Sequence, residues 1–130
     1  MSLANRGWDI TAPFGFEGEA VVADLLALPA NGREVEVKHK SFADSLFYVE
    51  IECRYRSGWG PSGISTTEAR YWAFLVADTG VAVLIPTTRI EAAVQLAKAR
   101  RLALRPGAPD GDHPTRGYLV PFQFFVEQAA

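Results

Sequence analysis

The chain of 130 residues holds a single cysteine, Cys53, which excludes an internal disulfide framework and any zinc cluster built on cysteines. No apolar run approaches the roughly 20 residues a transmembrane helix needs, and no charged-then-apolar leader opens the chain. A cytoplasmic protein without membrane association is therefore expected. Neither sign of charge is in large excess: net charge is −2 and the pI about 5.7, which argues against a nucleic-acid coat protein or a membrane-surface protein. A metal-dependent nuclease stays open, because such an enzyme needs an acidic site and only a local basic rim. No phosphate-binding glycine motif, dinucleotide fingerprint or Ser-His-Asp arrangement is present. Internal repeats and low-complexity tracts are also missing.

What is there suits one folded domain, with 48% hydrophobic and 22% charged residues. Met1-Ser2-Leu3 reads as a cloning remnant and residues 4–130 as the domain. Residues 16–28 fit a helix with Val21, Leu25 and Leu28 on one stripe, ended by Pro29-Ala30-Asn31-Gly32. Strands are expected at 33–40 and 46–55, and a glycine-rich loop at 56–65. Ser65 or Thr66, with Glu68 in the first turn, predicts a helix running to about Val76. Val81 to Ile85 reads as a buried strand. Thr87 or Thr88 then caps a helix whose stripe is Ile90, Val94 and Ala97. Lys98, Arg100 and Arg101 at its end suit the negative pole of the helix dipole. Residues 105–117 read as a loop and Tyr118 to Val126 as a last strand or a partner-facing segment.

The chemistry concentrates in two alternating runs, Arg33-Glu34-Val35-Glu36-Val37-Lys38 and Phe47-Tyr48-Val49-Glu50-Ile51-Glu52. Alternation of apolar and charged residues is the period of a strand with one polar face. Residues 40–47 leave room for an antiparallel hairpin. If the polar faces coincide, carboxylates and one ammonium converge, which suits a divalent cation and phosphodiester cleavage. The competing expectation is a solvated hairpin face with cross-strand ion pairs worth under ~1 kcal/mol each. Cys53 falls on the apolar side of its strand as a buried thiol. His39 points opposite Lys38, and His113 has no metal-ligand partner at helical spacing. Trp59 is the candidate for stacking on an unpaired base.

Gly18-Glu19 on a helix, then Glu36-Val37-Lys38, then Phe47-Tyr48-Val49-Glu50, then Pro61-Ser62-Gly63-Ile64-Ser65-Thr66-Thr67-Glu68-Ala69-Arg70-Tyr71-Trp72, resembles the PD-(D/E)xK nuclease superfamily in its small phage- and plasmid-type branch. The resemblance implies a restriction-endonuclease-like α/β sandwich around a small mixed sheet. It also implies a Mg²⁺- or Mn²⁺-dependent DNA endonuclease, acting on branched or damaged duplexes. Glu36, Lys38 and Glu50 would be catalytic, and Glu19, Glu36 and Glu50 would hold the metal. The family's first aspartate does not stand before Glu36. Asp24 fills that place if residues 22–28 form a strand; otherwise Glu36 takes it and Glu50 with Glu52 supplies the following acidic pair. Apart from the resemblance, local charge clusters offer a basic rim for phosphate: Arg54 with Arg56, then Arg70, then Lys98, Arg100, Arg101 and Arg105. Arg54, Arg56 and Arg70 are the expected DNA contacts, against the alternative of plain solvated surface.

A domain of this size covers little DNA, so a homodimer is expected, with the aromatic segment Tyr118 to Phe125 as a candidate interface. The alternative is a non-catalytic nucleic-acid or protein-interaction module that keeps the fold without the site.

Overall fold

The structure, a computed structural model, describes residues 23–29, 31, 33–107 and 113–127. Among the described residues, seven strands form two small sheets. β1 (Val35–Lys40), β4 (Tyr71–Val76) and β5 (Ala82–Pro86) make one, in the order β1-β4-β5; β1 runs parallel to β4, and β5 antiparallel. β2 (Leu46–Tyr55), β3 (Gly58–Pro61), β6 (Arg105–Pro106) and β7 (Thr115–Pro121) make the other, in the order β3-β2-β7-β6, antiparallel throughout. Helix α1 (Thr87–Ala99) and the short α2 (Gln123–Val126) pack on them. The molecule is thus of the mixed α/β class. No helix among the described residues is long and apolar enough to cross a membrane.

Strand β2 is where the sequence pattern puts it, and its alternation is real: Phe47, Val49, Ile51 and Cys53 are buried, while Tyr48, Glu50 and Glu52 lie on the other face. The thiol of Cys53 is free and buried. The core joins the sheets through Phe47, Val49, Trp72, Phe74, Ile90, Val94, Val120 and Phe125. Phe47 makes edge-on contacts with Phe74 and Phe125, at centroid separations of 5.0 and 5.4 Å. Such geometry suits the ring quadrupoles.

Several expectations are corrected. The runs at 35–40 and 46–55 do not form a hairpin. β1 pairs with β4, and residues 41–45 carry the chain across to the other sheet. Asp44 shapes that crossing by accepting from the Leu46 N–H at 3.0 Å and from the Lys40 ammonium at 2.6 Å. The helix expected to run to Val76 is strand β4 from Tyr71 on; Tyr71-Trp72-Ala73-Phe74-Leu75-Val76 alternates in burial and pairs with a strand on each side. Of its would-be caps, Ser65 Oγ donates to the Ile51 carbonyl at 2.9 Å and Thr66 Oγ1 turns back to the Gly63 carbonyl at 3.5 Å. Local helix signals lose to strand pairing that buries aromatic and β-branched side chains.

The glycine loop contains β3 and a 3-10 turn at Gly63–Ser65. Helix α1 starts after Pro86 without a side-chain cap, and Thr87 instead donates to the Arg70 carbonyl at 3.1 Å. Lastly, Tyr118 and Val120 lie in β7, and Phe124 and Phe125 in α2, all four buried in this chain's own core. Phe122, between the two elements, is exposed. Of the helix expected at 16–28, residues 23–26 are helical and residues 16–22 lie outside the described ones.

Candidate functional site

Among the described residues β1 lies at the edge of its sheet, and its partner decides what its charges face. Glu36 is level with Trp72, Lys38 with Phe74 and Lys40 with Val76, so all three charged residues share the side that β4 turns to the core. This differs from a solvated outer face. At the margin between sheets, Glu36 and Lys38 are half-buried, with side-chain exposures of 29% and 30%. The Lys38 ammonium pairs with Glu36 Oε2 and lies 4.6 Å from the Trp72 ring centroid. Glu36 Oε1 accepts from the Thr67 hydroxyl at 3.1 Å. That hydroxyl in turn accepts from the Trp72 indole N–H at 3.3 Å and the Ala69 backbone N–H at 3.2 Å.

Each link of this chain has a reason. Trp72 is almost wholly buried, so its indole is immobile and its N–H needs an acceptor. Thr67 supplies one and passes its own proton donor to Glu36. The carboxylate is therefore aimed by the core itself. Thr67 was visible in the sequence only as part of a motif; its role follows from β4 being a strand, which sets Trp72 beside Glu36.

Glu50 sits on the other sheet, on the face of β2 turned from the core. The segment Ser62–Thr67 borders both acids. Ser62 N–H donates to the Ile51 carbonyl at 3.0 Å, Gly63 packs on Glu50, and Thr67 holds Glu36. Gly63 has a φ of +56°, and a Cβ there would collide with the Glu50 carbonyl and sit 2.8 Å from Glu50 Cβ. Opposite Glu50 on β7 is Gly117, where a Cβ would strike the Val49 carbonyl. A bulge lies between Glu50 and Glu52. Bulges re-aim side chains and recur beside active sites.

The remaining expected residues separate. Glu52 pairs with Arg116 at 3.0 Å. Asp24 lies in the helical turn at 23–26, not in a strand, and is exposed. Glu19 lies outside the described residues. Among the described residues, no three His, Cys, Asp or Glu side chains form a group able to hold a metal ion. Arg70 pairs with Glu34 at 3.1 Å and covers Tyr71. Arg54 and Arg56 are exposed on the β2–β3 hairpin and have no ion pair among the described residues. The basic cluster after α1 is structural in part: Arg100 pairs with Glu127 at 2.8 Å and lies over Phe124.

A cavity of about 440 Å³ that Glu36 does not line is bordered among others by His39, Lys40, Asp44, Tyr48, Arg105 and Leu119. Lys40 is buried in its wall, donating to Asp44 and to the Leu46 carbonyl, both at 2.6 Å. The hydrogen bond from Lys40 holds the Asp44 carboxyl below its ordinary range. Burial raises the Tyr48 phenol, although its bond to Thr115 opposes the shift.

The site is thus a carboxylate–ammonium pair braced at the seam of a two-sheet α/β domain. No family model, curated protein or solved structure matches the chain.

Proposed function

We propose that the protein is a divalent-cation-dependent DNA endonuclease of the restriction-endonuclease-like class, hydrolysing phosphodiester bonds in branched or damaged DNA and acting as a homodimer in the cytoplasm. The observation that carries this is the Glu36–Lys38 pair, fixed through Thr67 and Trp72 at a half-buried margin. A carboxylate oriented by a buried scaffold keeps lone pairs for a cation, and a lysine on the same strand face can meet phosphate charge and orient water. Glu36 would hold Mg²⁺ or Mn²⁺, with Glu50 as the second carboxylate across Ser62–Thr67. Such ions take oxygen ligands and retain waters, so few protein groups are needed. The bound cation would polarise the phosphate and acidify a water.

A specific observation favours a second reading, a nucleic-acid-binding module without catalysis. Lys38 closes on Glu36 and Arg116 on Glu52, so two of the acids are already neutralised within the chain. Cleavage of labelled single-stranded, duplex and four-way-junction DNA, with Mg²⁺ or Mn²⁺ against EDTA, separates the two. The nuclease requires metal-dependent cutting that disappears in Glu36→Ala. Binding without cutting, by a folded protein, supports the module.

A further inference from the structure

The outward side of the β2–β3–β7 sheet carries an arrangement that the metal-site chemistry does not use. Arg54 and Trp59 are direct cross-strand partners, so they share a face of the β2–β3 hairpin. Trp59 is 41% exposed although it is a large apolar ring. The Arg116 guanidinium lies 4.1 Å from its centroid, and Glu52, level with Arg116 across the sheet, accepts from that guanidinium at 3.0 Å. Strand β7 thus delivers a cation to the indole, and β2 delivers the carboxylate that holds the cation. Arg56 sits in the two-residue turn closing the hairpin, and Tyr55 beside it is 44% exposed.

Three features call for a nucleic-acid partner at this face. An indole contacted on one face by Arg116 and still 41% exposed offers a π surface on which a base can stack. Arg54 and Arg56, unpaired among the described residues, supply charge complementary to phosphates flanking that base. Arg116, braced by Glu52, fixes the ring plane in advance, which lowers the ordering cost of binding. A continuous duplex keeps its bases stacked on one another, so only an unpaired base can use the indole.

We infer that Trp59, clamped by Arg116 and flanked by Arg54 and Arg56, is a stacking platform for an unpaired base of single-stranded DNA. This deepens the nucleic-acid reading above by naming the strand form that is held. It also changes the part played by Glu52, which anchors the platform and is not a metal ligand.

The test is fluorescence anisotropy with labelled oligothymidylate and with a labelled blunt duplex. It is run in EDTA so that cleavage plays no part, on the wild type, Trp59→Ala, Trp59→Phe and Arg116→Ala. Trp59→Ala should weaken oligothymidylate binding about ten-fold or more, from the usual worth of base–aromatic stacking. Trp59→Phe should retain most of the affinity, Arg116→Ala should lie between, and duplex binding should change little. Equal loss on both probes, or no loss in Trp59→Ala at an unchanged unfolding temperature, overturns the platform. So does a wild type that binds no oligothymidylate. The nuclease reading fails separately, on absent metal-dependent cutting: a protein can cut duplex without the platform, or hold single strands through Trp59 without cutting.

Discussion

The Thr67 hydroxyl donates to Glu36 Oε1 at 3.1 Å while accepting from the Trp72 indole at 3.3 Å. One hydroxyl thus ties the aim of a strand-borne carboxylate to the largest fully buried side chain of the core. If Glu36 serves a metal-dependent reaction, Thr67 is its positioning residue. Thr67→Val should lower metal-dependent cleavage by about ten- to a hundred-fold, the usual cost of losing an outer-shell partner. Thr67→Ser should restore most of it. Because the loss arises through the metal site, the variant's dependence on Mg²⁺ concentration should shift to higher values; an unshifted titration would make Thr67 merely structural.

Gly63 cannot be replaced cheaply. Its φ of +56° disfavours other residues, and a Cβ would collide with the Glu50 carbonyl. Gly63→Ala should therefore lower stability by about 1–3 kcal/mol, read from urea unfolding. Gly80→Ala tests whether the collision matters beyond the backbone strain. Gly80 also has positive φ, at +73°, but opens on free space, so its variant should be the milder of the two.

The Lys40–Asp44 contact predicts a sign for acid sensitivity. Lys40, and then the Leu46 N–H, depress the Asp44 carboxyl in the folded chain. A depressed folded value contributes stability that is complete above the unfolded carboxyl's value of roughly 4 and is lost as pH falls through the folded one. Thermal unfolding of wild type and Asp44→Asn should differ most at neutral pH and converge as pH drops below about 4. A gap independent of pH would contradict the assignment.

Phe125 separates core from interface. It is 3% exposed, packed edge-on against Phe47. Phe125→Ala should cost about 3–5 kcal/mol in unfolding free energy at any protein concentration. Dissociation of a dimer with unchanged protomer stability would instead put the ring at an interface.

How much of this was legible beforehand differs by element. Strand β2 could be placed from its alternation because both of its faces behave as the period demands, and the buried Cys53 followed from the same period. Helix α1 showed its stripe, with Ile90, Val94 and Ala97 buried as expected. The Glu36-Val37-Lys38 strand was also visible, since two residues apart on a strand means one face. By contrast, nothing local to Tyr71 through Val76 separates helix from strand. A threonine-rich approach and an acidic residue look like a helix start, and only β1 and β5 on either side make the segment a strand.

By itself, then, the chain determined which residues alternate, which segments are apolar, and that one acid and one lysine share a strand face. These are local properties, fixed by the spacing of side chains along the backbone. Tertiary structure alone decided which strand lies beside which. That choice sent β1 to β4 instead of β2, turned Glu36 and Lys38 toward the core margin, set Thr67 between Glu36 and Trp72, and brought Arg116 over Trp59. Strand partnership depends on burying the apolar faces of distant segments together, and no local spacing records which distant segment offers the better face.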